Sequence, residues 1–254
     1  MKLLRMTILA GGFFILALAL GFAFQLPLAT ATWPWPDGRL SYLFIGSILA
    51  AVSAAMLWVG WTCGWGALPA GALNVLVISL LAGIYFTYLF ANGRSELLPY
   101  SVVSALAVFP SAAAFLGGRK FPLRDERPTP KLVRSSLWIF AAALVLTGGA
   151  LVLRLPVFPW AVNPDSSVIF GSIFLGDAFY FLYGLWKPRW HNALGQLLSF
   201  LAYDLVLIFP FISLFRTVKP ELLLNLTVYV AVLVYSGAVA IYFLFIHRPT
   251  RIFG

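Results

Sequence analysis

Residues 166–215 read SSVIFGSIFLGDAFYFLYGLW, then KPRWH, then NALGQLLSFLAYDLVLIFPFISLF. Each outer run is apolar all round, with one acid in its interior, Asp177 in the first and Asp204 in the second. A helix of about 20 apolar residues spans a hydrocarbon core about 30 Å thick. A membrane barrel strand alternates apolar and polar residues over about ten positions, and these runs do not. The five-residue link forces the two helices to be antiparallel neighbours. The stretch therefore reads as a transmembrane helical hairpin.

Working outward, six further runs of the same kind appear, at about 6–28, 41–61, 69–91, 99–117, 134–153 and 224–246. The expected fold class is all-α, a polytopic membrane protein with eight transmembrane helices. Composition agrees: of 254 residues 62% are hydrophobic and 10% charged, whereas soluble domains are about 25% charged. This excludes a soluble globular protein, a disordered chain and a disulfide scaffold. The single cysteine, Cys63, rules out an intrachain disulfide, a CxxC pair and a cysteine metal site.

The net charge of +9 falls in short clusters between apolar runs, with no basic helix, so no nucleic-acid partner is expected. The clusters read instead as topology signals. With the N-terminus inside, about twelve Lys and Arg lie on the inner side and about five on the outer. Both termini and the central loop are then cytoplasmic, in a multi-pass protein of the cell membrane. The expected partners are the bilayer, anionic lipid headgroups on its cytoplasmic side, and membrane proteins. The basic start Met1 to Arg5 and the sequence Ala29-Thr-Ala31 follow signal-peptide grammar. The apolar run between them is longer than the usual 7–15 residues, roughly, of a signal core, so a retained first helix is expected.

The chain also repeats itself at an offset of 125. Pro34-Trp35 falls on Pro159-Trp160, Gly46-Ser-Ile48 on Gly171-Ser-Ile173, Trp61 and Trp65 on Trp186 and Trp190, and Glu96-Leu-Leu98 on Glu221-Leu-Leu223. Over residues 33–117, 21 of 85 positions match without a gap, about three times the number that shared composition gives. This predicts two parallel four-helix repeats, 1–117 and 134–254, joined by a solvated basic cytoplasmic linker, 118–133. An even helix number makes the copies enter the membrane in the same sense, related by a pseudo-two-fold axis along its normal. Gly46-Ser47 and Gly171-Ser172 are small enough to let helices 2 and 6 meet near that axis, or else to serve as two independent local packing sites.

Chemistry is expected at Asp177 and Asp204. They lie about 15 Å and 18 Å from the inner ends of their helices, near the midplane, on consecutive helices where they can face each other. A charged carboxylate at that depth costs at least about 2.5–3.5 kcal/mol. No Lys, Arg or His lies at the same depth, so no salt bridge is available from this chain and one or both acids are expected to be protonated. Gln196 shares a helical face with Asp204, and Tyr180 shares one with Asp177. These four are the candidate substrate- or ion-binding residues. Asn74 and Ser79 are the main polar residues of the third helix. Ser79 falls on Asp204 and Val52 on Asp177, so the acids belong to the second repeat alone.

Tyr203-Asp204 and Phe174-Leu-Gly-Asp177 resemble the Tyr-Asp and Gly-x-Gly-Asp motifs of intramembrane aspartyl proteases. The resemblance covers six residues, and it implies a catalytic acid pair. The sequence departs from the pattern: Phe174 replaces a glycine, the order is reversed, and the Pro-Ala-Leu motif of the presenilin-like branch is absent.

No catalytic residue, metal or cofactor is expected. His191 and His247 sit at the inner edge, so no bis-histidine haem lies within the bilayer. No mid-helix lysine offers a Schiff base, and no Walker loop, GxGxxG or HExxH occurs. The leading expectation is a proton- or cation-coupled carrier of a small solute. The alternative is a non-catalytic structural or assembly subunit, with an enzyme third. Trp33-Pro-Trp-Pro36 and Trp160 read as interfacial anchors on the outer side.

Overall fold

The computed structural model describes residues 2–252. Among them every regular element is helical, with no strand, and eight helices are long and apolar enough to cross a membrane. They are α1 (Lys2–Ala23), α2 (Arg39–Thr62), α3 (Leu68–Ala91), α4 (Leu98–Gly118), α5 (Lys131–Val152), α6 (Pro164–Trp186), α7 (Trp190–Leu214) and α8 (Leu223–Ile241). The last continues as a π-helical turn, Tyr242–Ile246.

The ends of these helices follow from a few residues. Proline occupies the first turn of α3, α4 and α6, where its missing N–H is no loss. Asn163 caps α6, its side chain accepting from the Asp165 amide at 2.9 Å. Gln25, Cys63, Gly93 and Arg154 take left-handed backbone with φ of 54°, 54°, 92° and 60°. After each of them the next amide reaches back five residues: Leu26 N to Gly21 O at 2.8 Å, Gly64 N to Val59 O at 3.1 Å, Arg94 N to Leu89 O at 3.1 Å, Leu155 N to Ala150 O at 2.9 Å. That closure satisfies carbonyls that a helix end leaves open.

The first span therefore stops at Ala23, short of the apolar run to 28. Hydropathy counts side chains, whereas the backbone turns at Gln25, and Leu26, which precedes a proline, is extended at ψ 131°. Pro27–Thr30 then form a four-residue helix of their own.

The helices group into two compact units. One takes in Met1–Gly64, Phe158–Val162 and Ala193–Gly254, and the other Trp65–Val157 and Asn163–Asn192. In the first unit α1 packs on α2, and Leu43, Leu207, Phe211, Leu226 and Leu233 form a buried cluster from α2, α7 and α8. The Phe158–Val162 segment is laid into this unit. Phe158 stacks on Trp160 at 4.3 Å and meets Phe44 edge-on at 5.1 Å. The Trp160 indole donates to Ser41 Oγ at 3.0 Å, so its one polar atom is satisfied. In the second unit α3 packs on α4, α5 on α6, and α3 on α6.

Gly46 and Gly171, expected to bring α2 and α6 together, are each taken up inside their own hairpin. A Cβ on Gly46 would lie 2.9 Å from Ala19 O, and one on Gly171 would lie 2.7 Å from Gly148 O. The basic segment between α4 and α5 is mostly exposed, and backbone bonds also tie it down. Trp190 N donates to Arg127 O at 2.7 Å and Thr129 N to Pro188 O at 3.0 Å. Arg189 Nη1 adds a bond to Glu126 O at 2.9 Å. A segment without helix must place its backbone polar groups somewhere, and the α6–α7 link supplies partners.

Candidate functional site

Asp177 lies on α6 in the second unit, half-buried. Its Oδ1 accepts from Asn74 Nδ2 on α3 at 2.6 Å. The two helices meet here because of Gly176. A Cβ at that position would collide with Ile78 Cγ1 and lie 3.0 Å from Asn74 O. Asn74 is buried, and its Oδ1 has no hydrogen-bond partner among the described residues. The amide thus presents an N–H to Asp177 and holds a bare carbonyl oxygen on its other side.

Asp204 lies on α7 in the first unit and is 5% exposed. Ser236 Oγ on α8 sits 3.0 Å and 2.9 Å from the two carboxylate oxygens. The same hydroxyl lies 2.8 Å from Val232 O, one turn back on its own helix. Gly237 lies beside the acid, where a Cβ would make ordinary contact with Asp204 Oδ2 at 3.4 Å. Tyr203 and Tyr229 hydroxyls are bonded to each other on the same two helices.

Each acid is therefore held by a neutral group of its own unit. Among the described residues neither takes part in an ion pair. Of the other two candidates, Gln196 is fully buried in α7, and Tyr180 is buried on α6 with its ring 5.5 Å from Phe181. Neither has a bond to the acids among the hydrogen bonds described above. The sequence pointed to Asn74 as the polar residue of its helix but gave no reason to pair it with Asp177. Ser236 and Tyr229 were not singled out at all. A single serine among apolar residues carries no spacing signal, and only the packing of α7 on α8 selects it.

A second polar cluster, missed in the sequence, closes the other unit-two helix ends. Tyr85 donates to Asp165 Oδ1 at 2.6 Å. Arg154 Nη2 reaches the Tyr85 hydroxyl at 2.9 Å and Asp165 at 3.3 Å, and Arg94 reaches Asp165 at 3.4 Å and Glu96 at 2.7 Å. Glu96 holds the Arg94 guanidinium above its ordinary value, and the Tyr85 bond does the same for Arg154. Positive and negative groups balance here, so the cluster ties loop ends together and leaves little net field for a ligand. In the segment after α4, Arg127 holds the Asp125 carboxyl below its usual range, against a smaller opposing effect of burial.

Among the described residues no group of three or more His, Cys, Asp or Glu could hold a metal ion. The class that fold and site define, among the described residues, is an all-helical chain with eight membrane-length apolar helices, Asp177 inside one helix of the second unit and Asp204 inside one of the first. Comparison with protein-family models, curated proteins and solved structures finds no match.

Proposed function

We propose that this chain is an integral membrane carrier that couples a small solute to a proton or cation exchanged at Asp177 and Asp204. One observation carries the reading: each acid is partnered by a group that serves both of its protonation states. Ionised Asp204 accepts the Ser236 hydroxyl. Protonated Asp204 donates to Ser236 Oγ, and the serine hydrogen turns to Val232 O, which already lies at 2.8 Å. Ionised Asp177 accepts the Asn74 amide, and a half-turn of that amide offers Oδ1 to a protonated acid. A fixed cation would hold either acid in its charged form, and among the described residues none is paired with either.

The test is proton-linked flux in liposomes with Asp177→Asn and Asp204→Asn. Expression and folding stay near normal while flux is abolished. Infrared difference spectra on a pH jump report the carboxylic C=O band that each variant removes. If both variants transport like wild type, the acids are interhelical hydrogen bonds and the chain is a structural or assembly subunit.

We also read the chain as a duplicated four-helix repeat in which the copies exchange hairpins. Several identical positions 125 apart share their environment. Ser41 and Ser166, Ser47 and Ser172, Trp65 and Trp190, Phe86 and Phe211, and Ser111 and Ser236 are all buried, while Trp61 and Trp186 are both exposed. In the first helix the offset becomes 129. Lys2-Leu-Leu-Arg5 then falls on Lys131-Leu-Val-Arg134 at the starts of α1 and α5. With that shift the glycine contacts correspond atom for atom: Gly46 meets Ala19 O and Ala23 N, and Gly171 meets Gly148 O and Val152 N. The extra turn of chain matches the four-residue helix Pro27–Thr30.

Each unit then combines the first hairpin of one repeat with the second hairpin of the other. The crossing of α6 with α3 at Gly176 and Asn74 has its counterpart in the crossing of α2 with α7, where Ser199 Oγ donates to Ala51 O at 3.1 Å. The expected placement of both termini and the basic segment on the cytoplasmic side belongs to the same proposal.

A further inference from the structure

Where α4 and α6 end, three aromatic rings and two cations meet. Arg119, the residue that caps α4, lies with its guanidinium carbon 5.5 Å from the Phe115 ring centre and 5.6 Å from that of Trp186. Lys187, which caps α6, places its ammonium 4.8 Å from the same Trp186 ring. Tyr183 packs edge-on against both Phe115 and Trp186, at 6.1 Å and 5.7 Å, and so holds the two rings in place. Cation–π contact fixes the position of a charge without neutralising it. Neither cation forms an ion pair among the described residues. The result is two positive groups of set position that no described carboxylate pairs, in one unit, at the level where two membrane-length helices leave the apolar slab.

We infer that this cluster is a binding site for the phosphate of an anionic phospholipid. The headgroup phosphate lies between Arg119 and Lys187. The Trp186 indole, 58% exposed, sits at the depth where amphipathic rings favour the interface. The acyl chains have apolar surface to follow on the same two helices, at Leu116 and Phe179, both exposed. A choline or ethanolamine group is disfavoured, because the rings that would attract its cation already carry Arg119 and Lys187. In the repeat reading the matching position of the first unit holds Trp61 but has Thr62 where Lys187 stands. The site is therefore single. The inference rests on the membrane reading and is independent of Asp177 and Asp204.

The full chain in detergent is titrated with phosphatidylglycerol, phosphatidylcholine or inorganic phosphate, and thermal unfolding and lipid retention in native mass spectrometry are read together. Phosphatidylglycerol raises Tm and is retained, and phosphatidylcholine does much less. The double variant Arg119→Ala with Lys187→Ala weakens phosphatidylglycerol binding about twenty-five-fold, taking about fivefold for each interfacial cation, while its response to phosphatidylcholine is unchanged. Should the double variant fold poorly, Arg119→Gln and Lys187→Gln are measured singly, each with a loss of about fivefold. Equal stabilisation of variant and wild type by phosphatidylglycerol overturns the site. Equal action of the two lipids overturns its charge selectivity, and a full response to inorganic phosphate alone overturns a lipid as the occupant.

Discussion

At the scale of single residues, Ser236 matters more than its size suggests. Its hydroxyl is the only donor that the described hydrogen bonds give to Asp204, an acid 5% exposed. Ser236→Ala leaves that carboxyl buried without a partner, and the expected loss of stability is about 1–3 kcal/mol. Thermal unfolding in detergent checks it, and Asp204→Leu in the same background should restore most of the loss, because an apolar pair needs no partner. Asp125 gives a pH dependence of known sign. Its folded carboxyl titrates below the unfolded value of about 3.9, because Arg127 is bonded to it. Its stabilisation is complete above that value and is lost as the pH falls through the folded one. Asp125→Asn should flatten the acid limb of Tm against pH and leave the neutral limb alone. A limb of unchanged slope would show that other carboxylates set it.

At the scale of elements, close crossings decide which side chains meet. Apolar helices in lipid gain little by burying more apolar surface, so backbone approach through small residues sets their contacts. Gly176 is the clearest case, since α3 crosses α6 where its hydrogen stands in for a side chain. Gly176→Ala should destabilise the chain by about 1–3 kcal/mol through overpacking and lengthen the Asn74–Asp177 bond. Adding Ile78→Ala removes one of the two clashing groups and should recover part of the Tm. If Gly176→Ala is neutral alone, the crossing is looser than 3.0 Å from Cβ to Asn74 O implies. Pro110 and Pro210 interrupt the hydrogen-bond ladders of α4 and α7 from inside. One lies in each unit.

At the scale of the whole molecule, the two compact units cut across the linear order of the chain. Each takes one hairpin from before the basic segment and one from after it. A break within that segment leaves neither fragment with a complete unit. Residues 1–124 and 125–254 expressed separately should be degraded, whereas co-expressed they should purify together in equal amounts. Size-exclusion chromatography of tagged fragments makes the check. Stable, monodisperse fragments obtained singly would mean that each linear half folds by itself.

The sequence by itself determined the helices, their number and their apolar character, because the length of an apolar run is a local property that no distant contact alters. It also determined where the two acids stand along their helices, since rise per residue is constant. It placed the links of α6 with α7 and the offset of 125 for the same reason: both are read along the chain. Only the tertiary structure decided that Asn74 holds Asp177 and Ser236 holds Asp204, and that the basic segment is tied to Trp190. Those facts depend on which of many similar apolar surfaces come together. A helix that is greasy on every side does not announce which face its neighbour will take, and a lone serine or glycine gains its meaning only from what lies against it.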